Sequence, residues 1–291
     1  MKKSITHDSA AQAQPTFGQT RRTLLLGAGA LLIAARTVRA ATPTLTAEQV
    51  VARNVQARGG LAAWRGIGAM AMSGLMDAGR IRPEEPLERD HIPRLRLPRP
   101  QDVAQGKMVR LPFELELKRP RKMRLEITFD GQKAVQVFDG THGWKLRPFL
   151  GRHEVENYTP QEARAGAEQQ DLDGPLIDHA AKGIAVALEG MEQVEGHDAY
   201  KLKLTLKDGR MRRVWVDAQS YLDVMIDGER RLDGKAHVVH THYRDFRKVN
   251  DVLIPFTLET RVQGVHDSET ISIDKVALNP PLSDARFARP A

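Results

Sequence analysis

The sequence predicts a mainly β protein, in which one large antiparallel sheet has its apolar face covered by a few helices. Three observations predict it. From Phe113 onward, apolar and polar residues alternate with period two in one segment after another. Pairs suited to tight hairpins separate the segments: Asp130-Gly131, Asp139-Gly140, Asp208-Gly209 and Asp227-Gly228. Helical spacing is confined to the start and the middle of the chain. So many consecutive strands make a sheet with one apolar face, which must curl or be covered.

The elements follow in order. At the N-terminus, Lys2 and Lys3 precede Arg21-Arg22, an apolar run from Leu24 to Ala35, and Val38-Arg39-Ala40. Charged, apolar, then small is the order of a secretory signal peptide. The run is shorter than the ~20 apolar residues a spanning helix needs. Residues 1–40 are therefore expected to be cleaved, with a new N-terminus at Ala41 and one domain over 41–291. The Arg21-Arg22 pair, the long polar stretch before it and Arg36 and Arg39 near the cut resemble a twin-arginine export signal. The expected location is the periplasm, with the mature chain soluble. The chain has no Cys, which excludes disulfides, a lipid on cysteine and a cysteine nucleophile.

The net charge of +7 misleads. Residues 1–40 hold six Lys/Arg and one Asp, so the remainder is close to neutral. That balance gives no support for nucleic-acid binding. A monomer is expected.

A helix opens the mature chain. Thr46 and Gln49 form a capping box, Leu45 and Val50 a hydrophobic staple, and Gly59-Gly60 the stop. Residues 78–112 hold six prolines and many charges, and predict a long irregular insertion. Strands follow around 113–117, 123–129, 135–137 and 144–146. Thr159-Pro160-Gln161-Glu162 predicts a helix start. Leu172, Leu176, Ile177, Ala180 and Ala181 predict a second helix ending at Gly183. Strands then resume to residue 277.

His240 and His242 share a strand face, with His237 nearby and His266-Asp267 as the one obvious further donor in sequence, but strand histidines are commonly structural. Asp171, Asp173, Asp178, Asp227, Glu229 and Asp233 read as turn residues. No nucleophile elbow, phosphate loop or dinucleotide fingerprint is present. The sequence thus predicts no catalytic residue, no metal and no cofactor. Apolar strand residues Phe113, Leu125, Phe129, Trp144, Trp215, Phe256 and Leu258 are candidates to line an apolar cavity or fill a core. Leu176 and Ile177 are candidates for a lid over it.

Several segments resemble the LolA-like family of periplasmic lipoprotein and lipid carriers. They are residues 57–64 (ARGGLAAW), 173–178 (DGPLID), 194–202 (VEGHDAYKL), 214–217 (VWVD), Tyr221-Leu222, 243–250 (YRDFRKVN), 254–256 (IPF) and 278–281 (LNPP). The resemblance implies an incomplete antiparallel barrel of about eleven strands, with a helical lid over an apolar cavity. It implies a non-enzymatic carrier that holds acyl chains of a lipid or lipoprotein, without a cofactor. Its partners would be an inner-membrane donor and an outer-membrane acceptor. The alternatives are an envelope sensor of mislocalised lipid or lipoprotein, and a metal-dependent or hydrolytic envelope enzyme. The insertion at 78–112 departs from the family pattern. The arginine that ties barrel to lid in the lipoprotein carrier has two candidates here, Arg124 and Arg244.

Overall fold

A computed structural model describes residues 45–80, 108–148, 151–160, 162–163, 171–232, 235–264 and 268–290. The export signal expected at 1–40 and the proline-rich residues 81–107 lie outside the described residues. The described part falls within one compact unit, Thr44–Ala291.

The first helix, α1 (Ala47–Ala57), starts where the capping box places it. The Gln49 N–H donates to the Thr46 hydroxyl at 3.2 Å, and the Thr46 N–H donates to Gln49 Oε1 at 2.9 Å. A short second helix, α2 (Leu61–Arg65), buries Trp64. Thirteen strands follow: β1 (Ala69–Arg80), β2 (Met108–Lys118), β3 (Lys122–Phe129), β4 (Gln132–Phe138), β5 (Gly143–Arg147), β6 (Arg152–Asn157), β7 (Ala185–Val194), β8 (His197–Thr205), β9 (Met211–Asp217), β10 (Asp223–Leu232), β11 (Lys235–Val249), β12 (Val252–Val262) and β13 (Ser268–Leu278).

All thirteen form one sheet, in the order β6-β5-β4-β3-β2-β1-β13-β12-β11-β10-β9-β8-β7. Every strand lies beside its neighbour in sequence, except that β1 pairs with β13 and β6 does not pair with β7. The sheet is therefore open, and the connection through residues 158–184 runs from one edge strand to the other.

Register divides the sheet into two faces. On the inner face, α1 sets Val50 and Val51 against Leu202, Leu204, Val214 and Val216. On the same face, Trp64 of α2 packs with Met70, Leu117, Met123, Phe138, Ile254 and Phe256. On the outer face, Val135 and Val137 are covered by Phe287, from a 3-10 turn at Asp284–Phe287.

Three expectations change. The strands number thirteen instead of about eleven. The two that the sequence did not mark, β6 and β7, are the edge strands, which have a neighbour on one side only. The helix expected over residues 172–183 is a run of turns. Gly174 and Asp178 take φ of 76° and 54°, outside helical space, and Pro175 lacks an N–H. The irregular stretch expected at 78–112 is trimmed at both ends, because β1 runs to Arg80 and β2 begins at Met108. Pro112 fits inside β2 because the ladder to β3 begins only at Phe113, which leaves Pro112 with a neighbour on one side. The capping box at Thr159 is present. The Thr159 N–H donates to Glu162 Oε2 at 2.8 Å and the Glu162 N–H to the Thr159 hydroxyl at 3.2 Å.

Candidate functional site

The inner face is sealed at one end and half covered at the other. Near α2 it is filled by Trp64, Ile67, Met70, Leu117, Met123 and Ile254, all buried. Toward the opposite end of β1, β2, β3, β12 and β13, the apolar residues of the same face remain partly exposed. They are Met72, Met76, Leu115, Leu125, Ile127, Leu258 and Ile271. The register connects them: Met72 opposite Leu115, Leu115 opposite Leu125, Leu258 opposite Ile271 and Ile271 opposite Met76. They form one stripe across neighbouring strands.

Of the residues expected at a cavity, Leu125 and Leu258 lie in this stripe. Phe113 and Phe256 are buried in the core beside it. Phe129 continues the inner-face parity of Met123, Leu125 and Ile127 at the end of β3, and is half exposed. Trp144 and Trp215 are on the other face. Trp144 is opposite Val137 and packs in the cluster under Phe287. Trp215 packs with Val194, Ala199 and Met225, with the His240 ring edge-on at 5.8 Å. Period two explains both placements: each tryptophan is an odd number of residues from its inward-facing strand neighbours. A recess of about 310 Å³ also opens on the outer face, lined by Glu114, Glu126, Lys133, Asp274 and Lys275 among others. It is charged and offers an acyl chain nothing.

Leu176 and Ile177 do not sit on a helix, but they reach inward from the turns between β6 and β7. They are 1% and 0% exposed. Leu176 joins the cluster under α1, and Ile177 joins the cluster under α2. One dipeptide thus bridges both halves of the inner core.

Buried charge fixes this segment. The Asp173 carboxylate, 2% exposed, accepts from Arg119 Nη2 at 2.6 Å and Lys182 Nζ at 2.5 Å. Arg58 Nη1 donates to the Asp173 carbonyl at 3.0 Å and to Asp223 Oδ2 at 3.1 Å. Asn54 Nδ2 donates to Asp223 Oδ1 at 3.0 Å. Arg65 holds Asp178 through two bonds of 2.8 Å. Burial pushes the Asp223 carboxyl above its ordinary value, although Arg58 and Asn54 pull it down. Burial, with the Asp223 charge added, pushes the Tyr243 phenol up to about 12. Neither arginine expected to tie sheet to lid does so. Arg124 pairs with Glu126 at 2.8 Å, and Arg244 pairs with Glu195 and Glu259, all five on β3, β11, β12 or the β7–β8 turn. Sequence reasoning missed Asn54, Arg58, Arg119, Asp173 and Asp223. One signal was available, because Asn54 and Arg58 fall on the same helical stripe as Val50, Val51 and Val55, where a surface helix carries apolar residues.

Among the described residues, no group of three or more His, Asp or Glu is placed to hold a metal. His242 is buried on the outer face, its Nδ1 3.7 Å from Glu195 Oε1. Among the same residues, no helix is long and apolar enough to cross a membrane.

No protein-family model matches the chain, and no curated protein matches it in sequence. Solved structures match its architecture. A LolA superfamily protein from Nitrosomonas europaea aligns over 84% of this chain and 98% of its own, with a TM-score of 0.52 and 12% identity. The fold is the LolA-like fold. An outer membrane lipoprotein-sorting domain, so named, from Vibrio parahaemolyticus aligns over 82% and 94%, with a TM-score of 0.51 and 11% identity. A DUF1329 family protein from Desulfovibrio piger aligns over 84% and 98%, with a TM-score of 0.54 and 15% identity. In LolA-like terms, the sheet is an incomplete barrel and the elements over its inner face are its cover. The resemblance read from short sequence segments and the likeness of whole architectures agree on this fold.

Proposed function

We propose that this protein binds acyl chains of a lipid or lipoprotein on its inner face and carries them between membranes in the periplasm. One observation carries the reading. A contiguous apolar stripe across β3, β2, β1, β13 and β12 stays half exposed, on the face whose remainder is sealed by helices and turns. Soluble proteins rarely leave such a patch open unless something binds there. The name of one similar structure, which speaks of outer membrane lipoprotein sorting, supports the choice of an acyl ligand and transfer toward the outer membrane. Leu125, Leu258 and Phe129 would touch the chain, with Phe113 and Phe256 as the floor beneath it. The role needs no catalytic group and no cofactor. A donor at the inner membrane and an acceptor at the outer membrane belong to the same proposal.

The energetics suffice. Each buried methylene contributes about 0.8 kcal/mol, so ten offer roughly 8 kcal/mol before ordering costs, enough for micromolar binding. Titration with a fluorescent fatty-acyl probe should saturate at one probe per chain. Leu125→Glu puts a charge in the half-exposed stripe and should weaken binding about tenfold or more, with the far-UV circular dichroism unchanged. A parent protein that binds no probe and carries no lipid on purification would sink the proposal.

A further inference from the structure

The apolar stripe stops at β3, but the inner face continues. Leu125 of β3 is opposite Gln136 of β4, Gln136 is opposite Lys145 of β5, and Lys145 is opposite Glu156 of β6. Arg147 shares the parity of Lys145, whereas Trp144 and Leu146, which alternate with them, belong to the outer cluster. Crossing the face from β3 to β6 therefore leads from hydrocarbon to charge.

Lys145 is only 9% exposed. An ammonium so placed needs a partner. It donates to Glu162 Oε1 at 2.5 Å, with Glu156 Oε2 further off at 3.9 Å. Arg147 Nη2 donates to Glu156 Oε2 at 2.8 Å, while its Nε is buried with no hydrogen-bond partner among the described residues. Arg152 stands 3.6 Å from Glu156. Among the described residues, three cations thus meet two carboxylates. The ring of Tyr158 lies flat against Gly143, where a Cβ would come within 2.0 Å of it, and its hydroxyl donates to Gln136 Oε1 at 3.4 Å. The cations are fixed on the sheet. The carboxylate on Lys145 comes from outside the sheet: Glu162 belongs to the connection after β6, is the more exposed partner, and is held there through its other oxygen, which accepts from the Thr159 N–H.

We infer that Lys145 and Arg147 are the head-group site for an anionic amphiphile whose acyl chain lies along the stripe, and that the Glu162 carboxylate occupies the place of the ligand's anionic group. This rests on the acyl-binding reading and adds the class of ligand: one long chain ending in a carboxylate or a phosphate. The distance fits. From β5 to β13 there are five strand spacings, about 24 Å, room for one extended acyl chain. A carboxylate or phosphate would satisfy the Lys145 ammonium and give the Arg147 Nε the acceptor it lacks.

The test uses the chain as the cell produces it, with three fluorescent probes of one chain length: a fatty acid, the matching alcohol, and its phosphate monoester. The parent should bind the acid or the phosphate about tenfold tighter than the alcohol. Whichever of the two binds tighter identifies the class of head group. Lys145→Met should abolish that preference and leave alcohol binding as it was. Glu162→Gln, a change at a partly exposed acid that keeps the fold even where Lys145→Met does not, should tighten the anionic probes alone. Equal binding of all three probes by the parent overturns the head-group site and leaves acyl binding standing. Binding of none overturns both. Anionic binding indifferent to Glu162→Gln overturns the place-holding role of Glu162.

Discussion

Acid should act on this protein first at His242. Burial holds its imidazole below the ordinary 6.5, with Glu195 only partly offsetting that. The unfolded chain therefore takes up a proton before the folded one does. The associated stability is complete above about pH 6.5 and is lost as pH falls below it. Glu195 acts lower on the scale. Arg244, bonded to it through both oxygens, holds its carboxyl below the ordinary 4.5, so its contribution is present above that value and lost as pH falls through the depressed one. The melting temperature should decline in two stages on acidification, and His242→Gln should remove the first. A parent whose melting temperature is level between pH 7 and 5 would contradict this. On the inner face, the Arg58–Asp223 pair is buried on both sides. Breaking one partner strands the other, so Arg58→Met should cost about 3–5 kcal/mol in urea unfolding, and Asp223→Leu added to it should restore much of that. These residues were not legible in the sequence as a unit. Asp173 and Asp223 resemble ordinary turn and strand-end acids, and the partners of Asp223, Asn54 and Arg58, lie 169 and 165 residues away. Only Asn54 and Arg58, polar on an apolar stripe, marked themselves locally.

At the scale of elements, the strands were legible because period two requires no knowledge of the partner: Met123, Leu125 and Ile127 all face inward. The N-terminal helix was legible because its cap is local. The connection at 171–183 was not, because spacing alone cannot separate a helix from turns that bury the same residues. The difference changes an expectation. Charge on a lid surface would loosen the lid and spare the sheet, but Leu176 and Ile177 each complete a core cluster. Leu176→Asp with Ile177→Asp should unfold the protein, and the alanine substitutions should cost about 2–5 kcal/mol each. Circular dichroism with thermal melts separates the outcomes; a double aspartate variant that melts like the parent would return the pair to a surface role. The candidate site was half legible. The sequence marked Leu125, Phe129 and Leu258, but it also nominated Trp144 and Trp215, whose faces only the register assigns.

At the scale of the molecule, the export proposal rests on Arg21 and Arg22. Replacing both by Lys removes the planar guanidinium fork while keeping the charge. If the twin-arginine reading is right, uncleaved precursor should accumulate in the cytoplasm on an immunoblot of fractionated cells. Normal processing of the double variant would remove that reading. The sheet itself has a seam. β1 is held between β2 and β13, so its second neighbour is made long after it, once β2 to β12 have been made. During translation β1 to β6 can assemble early, and β7 to β12 can assemble as a separate meander. Neither half is finished until Ser268–Leu278 leaves the ribosome and lies down between β12 and β1. Completion therefore waits on the longest loop closure in the molecule, the slow kind of step for a β protein. A chain stalled or nicked before Ser268 carries two half-sheets, each ending in a bare central strand. Those strands are what a chaperone, or a second unfinished copy, would meet first.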